Sequence, residues 1–171
     1  MGKPMAKNLL KAGYGLVVCD LNQEAVEELA ALGAERAETP AAVAGSCDTI
    51  ITMLPNSPQV KQVVLGENGL LCGIRKGAVV IDMSSIAPLA SIEVAEKLRE
   101  KGAEMLDAPV SGGEPKAIDG TLAIMVGGDE QVFEAQREML LKMGASAVYT
   151  GKNGSGNVTK LSNQIIVALN I

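Results

Sequence analysis

The sequence has no histidine and no tryptophan, and its only aromatic residues are one phenylalanine and two tyrosines. Without an imidazole, this chain alone excludes every mechanism in which histidine activates a serine or cysteine or binds zinc. Proton transfer near neutral pH falls to a carboxylate, a lysine or water. A basic excess is also missing. Fifteen Lys and Arg stand against 20 Asp and Glu, for a net charge of −5, and no long basic run occurs. That excludes a nucleic-acid surface as the expected partner. No apolar run reaches the roughly 18 residues of a membrane span, and no signal-peptide pattern precedes the first helix. The three cysteines, Cys19, Cys47 and Cys72, lie in apolar or near-apolar stretches without metal-ligand spacing. They read as reduced thiols of a cytoplasmic protein, and no metal site is expected.

What is present is aliphatic. Hydrophobic residues make up 47% of the 171, with 19 glycines. This suits one domain or slightly more, built of tightly packed α/β layers. Short apolar runs bounded by turn residues predict strands at Leu16–Asp20, Ala34–Glu38, Thr49–Leu54, Ala78–Met83, Met105–Val110, Leu122–Val126 and Ala147–Tyr149. Helical spacing predicts helices over Gly2–Ala12, Gln23–Ala31, Pro40–Ala44, Gln59–Leu65, Pro88–Lys101 and Glu130–Met143, and another from about Gly154 onward. The alternation implies βαβ units and a mostly parallel sheet. The chain begins at a helix with no strand before it and ends at Leu169-Asn170-Ile171 inside an apolar helical pattern. Truncation at both ends is therefore expected.

Several loops carry candidate chemistry. Gly2 opens the first helix and could be the last glycine of a dinucleotide fingerprint, the one that permits close helix–sheet packing. Asp20 follows 18 positions later, at a strand end. An acid there can hold a ribose 2′-hydroxyl, or it can simply cap the next helix. Neither Leu21 nor Asn22 is basic, so nothing nearby welcomes a 2′-phosphate, which favours NAD over NADP. Leu54-Pro55-Asn56 and Ser84-Ser85 end successive strands, at the edge where open α/β sheets bind ligands. Ser111-Gly112-Gly113 exposes backbone N–H groups beside a hydroxyl, a nest for a carboxylate or a turn chosen for backbone conformation. Gly156, Lys160 and Asn163 share one helical stripe, and Val158, Leu161 and Ile165 share another. A lysine on a small polar stripe can reach a ligand, or it can be ordinary solvated surface.

Taken together, Met1-Gly2-Lys3-Pro4-Met5, Asp107 to Gly113 and Gly154 to Asn163 resemble motifs of the β-hydroxyacid dehydrogenase family, in order and spacing over essentially the whole chain. The resemblance implies a Rossmann-like NAD(P)-binding domain over residues 1–152, lacking its first strand and first two fingerprint glycines. Residues 153–171 would start an interdomain helix toward an all-helical domain that closes the site and builds a homodimer. It implies Lys160 as the catalytic acid/base, and Ser111, Gly112 and Gly113 as the holders of a small substrate carboxylate. Asn163 would orient the substrate or the lysine. Gly2, Asp20, Leu54, Pro55, Ser85 and, less directly, Gln59 would contact NAD or NADP. Ile81 to Pro88 and Ser111 to Gly120 look most like the branch that reduces tartronate semialdehyde to glycerate. 3-Hydroxyisobutyrate or a similar substrate, and an inert nucleotide-binding fragment, are the alternatives.

Overall fold

A computed structural model describes residues 1–169. The element order is α1 (Gly2–Lys11), β1 (Val17–Val18), α2 (Gln23–Ala31), β2 (Glu35–Arg36), α3 (Pro40–Ser46), β3 (Thr49–Thr52), α4 (Ser57–Leu65), α5 (Leu70–Gly73), β4 (Val79–Asp82), α6 (Pro88–Glu100), β5 (Glu104–Asp107), β6 (Val110–Ser111), α7 (Gly113–Asp119), β7 (Leu122–Gly127), α8 (Glu130–Leu140), β8 (Gly144–Gly151) and α9 (Ser155–Leu169). The expectation for the chain end at Asn170-Ile171 lies outside the described residues.

Local chemistry sets the helix starts. The side chains of Asn22, Thr39, Asn56 and Asp129 cap α2, α3, α4 and α8 by accepting first-turn N–H groups. Pro40 and Pro88 open α3 and α6, where the missing N–H is of no consequence. Lys3 and Lys7 of α1 both pair with Glu28 of α2 and hold its carboxyl down at about 2. All three lie at the surface, so solvent and salt screen the gain.

The main sheet runs β3-β4-β5-β7-β6, with β8 also on β7. β3, β4 and β5 are parallel, as are β7 and β8, while β7 is antiparallel to β5 and β6. Each face of the sheet carries its own core. Val80 and Met105 point into one, with Val60, Val64, Val94 and Leu98 of α4 and α6. Ile81 and Leu106 point into the other, with Met5 and Leu9 of α1 and Phe133 and Leu140 of α8. The alternation along β4 and β5 explains why those strands read as continuous apolar runs: both faces are buried.

Among the described residues, β1 pairs only with β2, in a separate two-stranded sheet, and β3 pairs only with β4. Each therefore keeps one edge outside any described ladder.

The expected strand Met105–Val110 is in fact two, β5 and β6, broken at Ala108-Pro109. Proline has no N–H to give to a ladder, although its carbonyl still accepts the N–H of Met125 at 3.1 Å. Two short helices, α5 and α7, were not expected. Gly112-Gly113-Glu114-Pro115 reads as a turn, yet φ of +138° and +68° at the two glycines turns the chain directly into α7.

Candidate active site

The site is built around the seating of α9. Asp107 ends β5 fully buried. Its Oδ1 accepts the N–H of Gly154 at 2.7 Å and its Oδ2 accepts the N–H of Asn157 at 3.1 Å. The carboxylate thus satisfies orphan donors in the first turn of α9, where the helix dipole also favours negative charge. Burial pushes the Asp107 carboxyl above the usual range, while these N–H bonds pull it back down. Glycine makes the approach possible. A Cβ on Gly156 would lie 2.4 Å from the Asp107 carbonyl oxygen, and one on Gly127 would lie 2.7 Å from Ser155 Oγ.

Asn157 is 1% exposed. Its Oδ1 accepts the N–H of Ile86 at 3.0 Å, and its Nδ2 donates to Ser91 Oγ at 2.9 Å. It therefore ties α9 to the loop after β4 and to α6. One turn further on, Lys160 is only 9% exposed. Its Nζ donates to Gln164 Oε1 at 3.0 Å, and no carboxylate pairs with it among the described residues. Burial alone lowers its pKa. A nearly buried ammonium without a counter-ion is rare in folded proteins. The alternative of a solvated surface lysine does not describe it.

The other residues singled out in the sequence fall as follows. Asn163 is half-buried one turn beyond Lys160, but Gln164 is the residue bonded to the lysine. Ser111 is half-buried on β6 opposite Ala123, and Gly112 and Gly113 are exposed. No described hydrogen bond joins them to Lys160. Leu54 and Pro55 follow the C-terminal end of β3, Ser85 that of β4, and Asp20 that of β1 in the separate two-stranded sheet. The Leu54 N–H donates to Ser84 Oγ at 2.8 Å, which links the loops after β3 and β4. Pro55, Ser85 and Gln59 (on α4) are exposed. Asp20 is exposed, and its Oδ1 accepts the N–H of Asn22 at 2.9 Å, a local turn just before α2 rather than the α2 cap itself, which is Asn22. A Cβ on Gly2 would meet Met53 Cβ at 3.7 Å, an ordinary contact. Close helix–strand packing therefore does not by itself require glycine there, contrary to expectation.

The donor set at this edge suits a dinucleotide. An exposed carboxylate, Asp20, follows β1 by two residues, and two short loops, fixed to each other by the Leu54–Ser84 bond, present backbone and small side chains after β3 and β4. Among the described residues, no group of three or more His, Cys, Asp or Glu could hold a metal ion. None of the described helices is long and apolar enough to cross a membrane.

Beneath the loops lies a polar row that the sequence gave no reason to expect. Thr52, Asp82 and Asp107 are register partners on β3, β4 and β5, and all three are buried. Asp82 Oδ1 accepts from Thr52 Oγ1 at 2.8 Å and from the Ser84 N–H at 3.2 Å. Its Oδ2 is buried with no hydrogen-bond partner. Burial, and to a smaller degree the Asp107 charge, push the Asp82 carboxyl above its ordinary value. A carboxyl raised on folding binds more protons in the folded state. Stability then falls as pH rises from about 3.9, the unfolded value, through the raised folded value. The Asp82→Asn variant should therefore gain stability relative to the parent as pH increases. Urea unfolding at pH 3.5 and pH 8 checks this, and a difference that does not change with pH would contradict it.

Comparisons with known proteins agree with the geometry. A family model described as the NAD binding domain of 6-phosphogluconate dehydrogenase matches residues 1–151. The chain is 47% identical over 171 residues to the Escherichia coli protein 2-hydroxy-3-oxopropionate reductase. It is 43% identical over 171 residues to the mitochondrial 3-hydroxyisobutyrate dehydrogenase of Bos taurus. All of this chain takes part in both matches, but it spans only 58% and 51% of those relatives. Among solved structures, Mycobacterium tuberculosis 3-hydroxyisobutyrate dehydrogenase with L-serine superposes with a TM-score of 0.93 at 33% identity, over 98% of this chain and 57% of that one. The mixed α/β, Rossmann-like architecture and the resemblance to β-hydroxyacid dehydrogenases are both borne out. With a dinucleotide edge in the fold and the match covering nearly all of it, the chain belongs to the family of the NAD binding domain of 6-phosphogluconate dehydrogenase.

Proposed function

We propose that the protein carrying this chain reduces a small carboxylate-bearing semialdehyde, tartronate semialdehyde before others, to its β-hydroxy acid, with Lys160 as the proton donor. The observation that carries this reading is the nearly buried ammonium of Lys160, held by Gln164 with no counter-ion among the described residues, on a helix anchored at the sheet. The 47% identity to the reductase supports the choice of substrate.

A bound nicotinamide cofactor supplies the hydride. Gly2, Asp20, Leu54, Pro55, Gln59 and Ser85 would hold the cofactor, and Asp20 without a basic neighbour would favour NAD over NADP. The backbone N–H groups of Gly112 and Gly113, with Ser111, bind the substrate carboxylate, and Asn163 orients the substrate. On reduction of the aldehyde, Lys160 Nζ would donate the proton that the carbonyl oxygen takes up. Water returns the proton afterwards. Burial lowers the lysine pKa, which eases proton release in this direction and lets the neutral amine act as base in the reverse one.

Residues 1–152 would form the cofactor-binding unit, with α9 (Ser155–Leu169) leading toward a further helical domain. The exposure of Val158 (52%), Leu161 (50%), Ile165 (62%) and Leu169 (81%) on α9 supports that division. The same covering domain would make the protein a homo-oligomer. The free cysteines and the bacterial relative support a cytoplasmic location.

A second reading, with 3-hydroxyisobutyrate as the hydroxy acid, is favoured by the 43% identity to that dehydrogenase. Steady-state assays with NADH and either tartronate semialdehyde or methylmalonate semialdehyde separate the two. The first should be preferred in kcat/KM by about tenfold or more, since a methyl-for-hydroxyl change in a substrate pocket discriminates on at least that scale. Reversed preference selects the second reading, and no turnover with either overturns both.

A further inference from the structure

The proton donor is useful only if it is held in register with the cofactor loops, and two buried residues that neither the motifs nor the comparisons assign make that connection. Asp107 leads, through Ala108 and Pro109, straight into the carboxylate nest at Ser111. Its carboxylate grips the first turn of α9 through Gly154 and Asn157. Asn157, three residues before Lys160 on that helix, binds the N–H of Ile86, the residue directly after Ser85. The substrate nest, the lysine and the loop after β4 are thereby joined by three hydrogen bonds of 2.7–3.1 Å.

We propose that Asp107 and Asn157 are positioning residues that together fix Lys160 relative to the loop after β4, and so align proton donation with hydride transfer. The proposal rests on the reading of Lys160 as the proton donor. Neither residue needs to touch substrate. Asn157 is suited to the task because its amide both accepts and donates, and both capacities are used: Oδ1 by Ile86 and Nδ2 by Ser91 Oγ. Packing leaves no slack, since Gly156 lies against the Asp107 carbonyl with no room for a Cβ. Loss of the Asn157 side chain would free the loop and the helix to move separately. A misplacement of about 1 Å can cost on the order of 10²-fold in rate.

The test uses the whole protein carrying this chain, with the semialdehyde it turns over best. Asn157→Ala should lower kcat by about 10–100-fold, leave the NADH dissociation constant within about threefold, and change the primary isotope effect seen with deuterated NADH. Asp107→Asn keeps one acceptor and should retain more kcat than Asp107→Ala, a graded rescue that nonspecific structural damage would not give. A folded Asn157→Ala variant with parental kcat and isotope effect overturns the proposal. If Asn157→Ala does not fold, Asp107→Asn, which removes one of the two acceptors that grip α9, decides by the same readouts, and parental kcat and isotope effect there overturn the proposal. Full turnover in a Lys160→Ala variant sinks the reading of the lysine itself. An inactive Lys160→Ala beside a fully active Asn157→Ala sinks only the present inference.

Discussion

Replacing Lys160 with alanine should lower turnover by about 10²–10⁴-fold, the usual contribution of a positioned proton donor, while NADH binds nearly as before. The expectation follows from placement. The Lys160 side chain is nearly buried, donates to Gln164, and joins no ion pair among the described residues. Removing it also removes a desolvated charge, so stability should not suffer much and could rise at neutral pH. The sign can be worked out. Burial lowers the folded pKa below 10.5, so the unfolded chain binds more protons between the two values. The cost of burying the charged form is fully present below the folded pKa and is relieved as pH rises through it. The pH profile of the reduction should accordingly lose activity on the alkaline side earlier than an ordinary lysine would dictate. Lys160→Arg, which cannot deprotonate in this range, should abolish that limb together with most of the turnover. Steady-state kinetics from pH 6 to 10 with a fluorescence titration of NADH check both parts. Turnover near the parental level in Lys160→Ala would remove the lysine from the mechanism.

The alternation of apolar runs and helical spacing made the layered α/β fold legible in the sequence, and α2 was bounded correctly to the residue because Asn22 and Gly33 mark its ends chemically. Met105-Leu106-Asp107-Ala108-Pro109-Val110 reads as one strand because it is apolar apart from Asp107, and only the absent proline N–H reveals the break. α7 was hidden behind Gly112-Gly113 and Pro115, all turn signals when read locally. Lys160 could be picked out, but its burial could not. On α9 the sequence separates a polar stripe from an apolar one, and amphipathic reasoning would bury the apolar stripe. The structure does the opposite. Gly156, Asn157 and Lys160 are buried, and Val158, Leu161 and Ile165 are exposed, because the close approach to β5 and β7 accepts only a small, hydrogen-bonded face. Asp107 carries no role of its own in the motif, since its partners Gly154 and Asn157 lie 47 and 50 residues away. Nothing local encodes that meeting.

Gly156 is where that close approach can be broken with one methyl group. In Gly156→Ala the new Cβ would lie 2.4 Å from the Asp107 carbonyl oxygen, 2.6 Å from the Met125 carbonyl oxygen and 2.9 Å from Asp107 Oδ2. Two of these atoms are backbone in adjacent strands and the third is the carboxylate that caps the helix. None is the free end of a flexible side chain that could swing away. The helix must therefore back off from the sheet. Overpacking of this kind costs about 1–3 kcal/mol or more, and here it also stretches the bonds from Asp107 to Gly154 and Asn157. Each bond lost at a buried carboxylate adds a desolvation penalty of its own. Because Lys160 lies one turn further along the same helix, the displacement should reach it and lower kcat as well, by up to about 10²-fold. Urea unfolding and steady-state kinetics should thus fail together. Gly15→Ala supplies the control, since a Cβ there meets nothing within 4 Å and the backbone is not in the left-handed region. A Gly156→Ala protein as stable as the Gly15→Ala control would mean that α9 is not seated against β5 and β7 as described, and the positioning of Lys160 by that seat would fall with it.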